Sequence, residues 1–360
     1  MRIVRLANFV TPRSGGLRTA LRELGAGYLA AGHEPVLIVP GDRDSDEQTS
    51  QGRVITLCGP RVPFMGGYRV LFRRRRVAHL LEIIRPDALE VSDRTTLRWT
   101  GQWARERGIP AVMVSHESLA ALLPVAADAL NRRTAANYDQ VLCTTRWAAR
   151  EFERIGAANL AHAPLGVDLD TFRPGQAVKH TRNIGLVHCG RLSPEKKPDR
   201  SLTTVATLRA QGLPVRMIMA GDGPLRHRLQ RRAAQERLPV EFPGFVSNRA
   251  ALAELLGGAD VVIAPGPAET FGLAALEALA CGTPVVVSAE SALPEVIGDA
   301  GASVAGEDLA QGVHELLARP EAARREAARE RAELFGWPSA VDAFLNIHEG
   351  IQHDQVCGTR

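Results

Sequence analysis

Two glutamates, Glu269 and Glu277, stand eight positions apart in the stretch PGPAETFGLAALEALACGTPVVV that runs from Pro265 to Val287. If the chain between them is helical, their carboxylates lie about 12 Å apart, roughly the reach of a sugar, a diphosphate and a ribose laid end to end. The turn at Thr270 leads into the N–H groups of Phe271, Gly272 and Leu273, which open the helix. Such an opening attracts phosphate through unpaired donors and the helix dipole, and Gly272 leaves room for close approach. Taken alone, Glu269 is a residue the dipole favours at a helix start, and Glu277 a solvated one. Glu277, however, is surrounded by Leu273, Ala274, Ala275, Leu276, Ala278, Leu279 and Ala280. A helix apolar nearly all round is a buried helix, and a buried carboxylate needs a partner.

A second group of chemical residues lies in Gly190-Arg191-Leu192-Ser193-Pro194-Glu195-Lys196-Lys197-Pro198. Arginine outnumbers lysine 41 to 3 in this chain, so adjacent lysines in a glycine-opened loop point to a need for the ammonium itself. A compact ammonium suits a diphosphate as a point charge, and a guanidinium adds bidentate contacts. The plainer reading is a surface loop paired with Glu195. A third candidate is His116, just past the strand-like Ala111 to Val114, where α/β proteins place ligand sites. A lone histidine there is more often structural. Near the start, the turn from Thr11 to Gly16 carries Gly15 and Gly16 before a helix and can hold phosphate or make a corner. It is not G-x-G-x-x-G and lacks the acidic residue of a dinucleotide site. Asp42, Asp44 and Asp46 alternate as metal ligands can, but without the glycine and distal glutamate of a calcium loop they read as a polar connection.

These residues need a scaffold, and apolar runs alternating with helical patterns supply it. Runs at Ile3 to Leu6, Pro35 to Val39, Val54 to Leu57, Ala88 to Val91, Ala111 to Val114 and Gln140 to Cys143 predict a doubly wound, mostly parallel sheet. A second series follows, with strands at Ile184 to Cys189, Val215 to Ala220, Val240 to Phe242, Asp260 to Ala264 and Val285 to Val287. The expected domains are residues 1–172, residues 183–335 after a polar stretch, and a terminal helix and tail at 336–360. A length of 360 residues suits two cores, and the 45% hydrophobic and 23% charged fractions are those of a soluble globular protein. No apolar run reaches the eighteen or so residues of a membrane span, and the N-terminus reads as a strand, so a cytoplasmic location is expected. Five cysteines without metal-like spacing (Cys58, Cys143, Cys189, Cys281, Cys357) read as reduced structural thiols.

The net charge of +4 is uneven. Between Arg61 and Arg85 seven arginines face the single Glu82. From Tyr68 to Ile84 a helix is expected, with Val70, Val77, Leu81 and Ile84 on one stripe and Arg73, Arg74, Arg75 and Arg76 on the other faces. Such a helix is either simply solvated or docks on anionic lipid at the inner face of a membrane. No aromatic platform accompanies the arginines, so nucleic acid is not expected.

The stretch Pro265 to Val287 closely resembles the signature of the retaining glycosyltransferases of family four, which carry two glutamates with seven residues between them. Further similarity lies in Gly166-Val167-Asp168 leading to Phe172-Arg173-Pro174, and in the Gly15-Gly16 loop. The resemblance implies an α/β GT-B fold, two facing Rossmann-like domains with a central cleft, holding a nucleotide-sugar. It gives Glu269 and His116 to the transferred sugar and active centre, and Glu277 to the ribose. Arg191 and Lys196 would hold the diphosphate, with Gly15, Gly16, Thr270, Phe271, Gly272 and Leu273 near the phosphates and Val246 near the base. Lys197 takes a position often occupied by glycine, and Glu117 departs from the commoner residue after the histidine. The chain most resembles GDP-mannose-dependent mannosyltransferases, which implies a glycan or glycolipid acceptor and neither a cofactor nor a metal. Two other classes are a GT-B-fold nucleotide-sugar epimerase and a non-catalytic nucleotide-sugar-binding protein. The glutamate spacing argues against the first, and the presence of His116, Arg191, Lys196 and both glutamates against the second.

Overall fold

The computed structural model describes residues 1–10, 15–62, 68–116, 118–119, 126–175 and 183–357. Thr11 to Ser14 of the glycine turn, Glu117, residues 176–182 of the polar stretch and residues 358–360 lie outside the described residues. The chain divides into two compact units. One comprises Met1–Leu165 with Trp337–Arg360, the other Gly166–Gly336.

The first unit is built on eight strands: β1 (Arg2–Leu6), β2 (Glu34–Gly41), β3 (Ser45–Thr49), β4 (Gly52–Cys58), β5 (Ala88–Val91), β6 (Ala111–Ser115), β7 (Gln140–Cys143) and β8 (Leu160–His162). Their order across the sheet is β3-β4-β2-β1-β5-β6-β7-β8. Every pairing is parallel except β3 with β4. The central runs are mostly apolar on both faces, as in sheets covered by helices on both sides, and the two charges they bury, Arg5 of β1 and Glu90 of β5, pair with each other. One core joins Val4, Leu6, Ile38, Leu89, Val91 and Met113 to Val77 and Leu81 of the helix Arg74–Ile84. The terminal helix Trp337–Cys357 belongs to this unit and packs on the helix Gly16–Ala30. A Cβ added at Gly27 would meet Val341 Cγ2 at 2.3 Å, so the two helices meet at a glycine.

The second unit has β9 (Ile184–Cys189), β10 (Val215–Ala220), β11 (Val240–Gly244), β12 (Val261–Ala264), β13 (Val285–Ser288) and β14 (Ala302–Val304). All pairings are parallel, in the order β11-β10-β9-β12-β13-β14. From β9 the chain winds outward to β10 and β11, then returns to the other side of β9 with β12. The carboxyl ends of β9 and β12 therefore flank a topological switch point, where open α/β sheets bind ligands. The loops leaving those two strands carry the Gly190–Pro198 and Pro265–Gly272 segments.

Two local expectations need correction, and two strands carry no expectation at all. The helix expected from Tyr68 begins only at Arg74, and Val70 and Leu71 are buried in irregular chain ahead of it. The polar connection at Asp42 to Asp46 runs directly into β3, whose SDEQT sequence has no apolar face to betray it. It is an edge strand that charged residues keep from pairing further, and Arg53 Nη2 meets Asp46 Oδ2 at 2.6 Å across the hairpin. The edge strands β8 and β14 have three residues each, too few to show a period.

Candidate functional site

At the switch point of the second unit, Lys196 Nζ lies 2.6 Å from Glu269 Oε1. Lys196 closes a short 3-10 turn, Pro194–Lys196, and the following Lys197 has φ +47°, the left-handed backbone that glycine adopts without cost. Glu269 sits in the loop after β12. Its carbonyl accepts a hydrogen bond from Ala292 N at 2.9 Å, and the loop's start is held where Arg200 Nη1 donates to the Pro265 carbonyl at 3.3 Å. Lys196, Glu269, Gly190, Gly266 and Gly272 line a small hollow with His188. The ion pair is partly exposed, with side-chain exposures of 32% and 21%, so it contributes no more than about 1 kcal/mol to the fold. A more strongly charged anion can displace the carboxylate from the ammonium.

The helix after this loop spans Leu273–Ala280 and is capped by Gly272 with φ +76°. A Cβ at Gly272 would lie 2.1 Å from Leu293 Cδ2, so both backbone and space demand glycine. The expected opening at Phe271 is thus displaced by two residues, with Leu273 the first helical position. Thr270, Phe271 and Leu273 have buried side chains, Phe271 packing edge-on against Phe335, so only their backbone can meet a ligand. Cys281 caps the other end and Gly282 follows with φ +75°.

Glu277 is buried, and its partner is Arg249, whose Nη1 lies 3.6 Å from Oε1. Arg249 also meets Asp168 Oδ2 at 3.7 Å and lies over the Phe172 ring, 4.8 Å from its centroid. Arg249 was not singled out from the sequence. The one signal for it was the demand of a buried carboxylate for a cation, which names no position. Arg191 and Val246 are half-buried in loops after β9 and β11 and do not line the hollow.

In the first unit, Gly15 is the N-cap of the helix Gly16–Ala30, and a Cβ there would meet nothing within 4 Å. His116 directly follows β6 and is half-buried. Burial pulls its pKa down to about 4, with Glu90 opposing and Arg5 reinforcing the shift. Of the four arginines, Arg74 lies over the Trp99 ring at 4.7 Å and Arg76 Nη2 pairs with Asp44 Oδ2 at 2.6 Å, while Arg73 and Arg75 are exposed. Phe72 beside them is 74% exposed. Cys58, Cys143, Cys189 and Cys281 are free thiols. Among the described residues no group of three or more His, Cys, Asp or Glu is placed to hold a metal, and no helix is long and apolar enough to cross a membrane.

Comparison with known proteins gives the context of this geometry. The model of glycosyl transferases group 1 matches residues 170–334, and that of Glycosyltransferase Family 4 matches residues 14–171. The chain is 52% identical to a GDP-mannose-dependent alpha-(1-6)-phosphatidylinositol dimannoside mannosyltransferase of Mycobacterium tuberculosis, over 99% of this chain and 98% of that one. It is 32% identical to a D-inositol 3-phosphate glycosyltransferase of Mycobacteroides abscessus, over 69% of this chain and 62% of that one. Among solved structures, sucrose-phosphate synthase from Thermosynechococcus elongatus matches all of both chains at a TM-score of 0.78 and 21% identity. Anabaena HepE, crystallised with UDP and glucose, matches 97% of this chain and 100% of its own at a TM-score of 0.79 and 16% identity.

Proposed function

The chain belongs to the family-four glycosyltransferases of the GT-B fold, and from that premise we propose that it transfers mannose from GDP-mannose to a hydroxyl of a phosphatidylinositol mannoside, forming an α-(1-6) bond. The observation that carries donor and acceptor together is the 52% identity to the M. tuberculosis mannosyltransferase across nearly the whole of both chains.

In this reading the bond between mannose C1 and the β-phosphate oxygen breaks, and its electron pair leaves with GDP. The acceptor oxygen bonds to C1 and its proton passes to the departing diphosphate. Charge grows on that diphosphate, and donors fixed in advance at such a place usually supply the largest part of catalysis. Lys196 is assigned to it, leaving Glu269 as the diphosphate arrives. Arg191 and the backbone N–H groups around Gly272 and Leu273 add to the same charge. Glu269, freed from Lys196, orients the hexose, and the proposal for His116 and for Gly15 and Gly16 is contact with hexose and phosphates respectively. Glu277 is assigned to the ribose, held in place by Arg249, and the Val246 backbone to the base. No metal is assigned a part. Arg73, Arg75 and Phe72 form the membrane-docking surface through which a lipid acceptor is reached.

The test is a reaction of the purified protein with labelled GDP-mannose and phosphatidylinositol dimannoside in vesicles, with UDP-glucose and ADP-glucose as competing donors. A glycolipid one mannose larger with an α-(1-6) linkage by NMR is expected. Donor consumed without a new glycolipid would support an epimerase, and donor bound but unchanged a binding protein.

A further inference from the structure

His188 is the fifth residue of the six in β9, one position before the strand ends at the switch point. Its strand alternation puts it in line with Leu186, on a face otherwise packed by Leu202 and Val205 of the helix Pro198–Ala210. An imidazole in such a row needs a reason. The ring is 3% exposed, and its Nδ1 lies 2.9 Å from Ser201 Oγ. Nε2 is buried with no hydrogen-bond partner among the described residues. A buried polar atom left unpaired costs about 1–3 kcal/mol, which a leucine in its place would not incur.

Nε2 points toward the same loop that carries the cations. A Cβ added at Gly190 would lie 3.9 Å from it, and His188 lines the hollow together with Lys196 and Glu269. We propose that His188, with Ser201 donating to Nδ1, presents Nε2–H as a neutral hydrogen-bond donor to a phosphate oxygen of the nucleoside-diphosphate donor. This rests on the donor reading given above and adds a residue to it. Burial, and after it the charge of Lys196, pull the ring's pKa down to about 4, so the ring is uncharged at neutral pH. With Ser201 as the donor, Nδ1 accepts and Nε2 carries the proton, whereas an unprotonated Nε2 would repel the anion. Beside Lys196 the arrangement combines one full charge with one dipole, and the second adds a hydrogen bond without the cost of burying a further cation.

Calorimetric titration with GDP and with GDP-mannose tests this on wild-type protein, His188→Leu and His188→Gln. Leucine keeps the volume and removes the donor; glutamine keeps a terminal N–H. Loss of a hydrogen bond to a charged group predicts that His188→Leu weakens both ligands by about tenfold or more, with His188→Gln close to wild type. Equal GDP affinity for the leucine variant and wild type overturns the proposal. So does unchanged GDP binding with weakened GDP-mannose binding, which moves the contact to the hexose. If wild-type protein binds neither ligand, the donor reading itself falls. Histidine-selective 15N NMR on wild-type protein reads the same contact without substitution: GDP should move the Nε2 resonance of the buried ring, and an unmoved resonance overturns the proposal.

Discussion

Lys196 and Glu269 hold each other in a pair too exposed to matter for folding, and this fixes what their substitution should do. Lys196→Ala is expected to lower kcat/KM by roughly two orders of magnitude or more, the usual cost of one preorganised donor, with little change in melting temperature; steady-state kinetics with GDP-mannose and a thermal melt check both. Glu277 differs because it is buried against Arg249. Glu277→Ala should weaken GDP binding by about tenfold, roughly 1.4 kcal/mol, and also lower the melting temperature by leaving Arg249 with only one of its two carboxylate partners, Asp168. In the double variant Glu277→Ala/Arg249→Ala the melting temperature should recover in part while affinity does not; a return of affinity would show that the glutamate serves only the fold. His188 adds a pH dependence. Its folded pKa of about 4 lies below the ordinary value of 6.5, so between these values the unfolded chain binds a proton that the folded chain refuses. Stability is therefore full above pH 6.5, falls as pH drops toward 4, and gains no further loss from this group below that. Melting curves from pH 7 to 4 should fall less steeply for His188→Leu. His116 has a shift of the same direction and size and adds to the same slope.

At the scale of elements, the central strands were legible because each is a mostly apolar run, interrupted at most by a residue such as Arg5, Glu90, His188 or Arg216, the mark of a strand covered on both faces. The helix Leu273–Ala280 was legible for the same reason, and Gly272 before it explains why the loop can turn so sharply into it. What escaped were elements without such a mark. β3 is polar throughout, β8 and β14 are three residues long, and the chain before Arg74 buries Val70 and Leu71 without being helical. The site was legible where a residue type was improbable, as with two adjacent lysines in an arginine-rich chain. It was illegible where a partner was distant in sequence: Arg249 and His188 acquire meaning only from what the fold brings beside them. Gly272→Ala should cost at least the roughly 1–2 kcal/mol of a left-handed alanine, plus the displacement of Leu293, visible as a lower denaturant midpoint. At the start of the helix Arg74–Ile84, Arg74 is engaged by a ring and Arg76 by a close aspartate pair, while Arg73, just before the helix, and Arg75 are exposed. Changing Arg73 and Arg75 to glutamate should weaken sedimentation with phosphatidylinositol-containing vesicles by about tenfold or more, at about 1 kcal/mol per basic residue, while Arg74→Glu should also disturb packing on Trp99. Unchanged binding would leave this surface merely solvated.

For the whole molecule, the decisive feature is that the first unit is discontinuous in sequence. Leu165 and Trp337 both belong to it, with Gly166–Gly336 forming the other unit between them. The returning helix is part of the interior: His348 is 1% exposed and its Nε2 lies 3.4 Å from Glu90 Oε2. Glu90 also accepts from Arg5 Nε at 3.1 Å and Tyr28 Oη at 2.8 Å. Burial raises the pKa of that carboxylate, but Arg5 and the other partners outweigh it and hold Glu90 at about 2. A chain ended at Gly336 should therefore lose the first unit's cooperative unfolding transition in calorimetry and keep the second's. During synthesis the same arrangement sets an order of events. The residues made first must wait on the ribosome, their sheet lacking one helical wall, until the last segment has emerged. The middle unit, contiguous in sequence, can finish earlier, so a chaperone that binds exposed apolar surface on the nascent chain would find it longest on the part translated first.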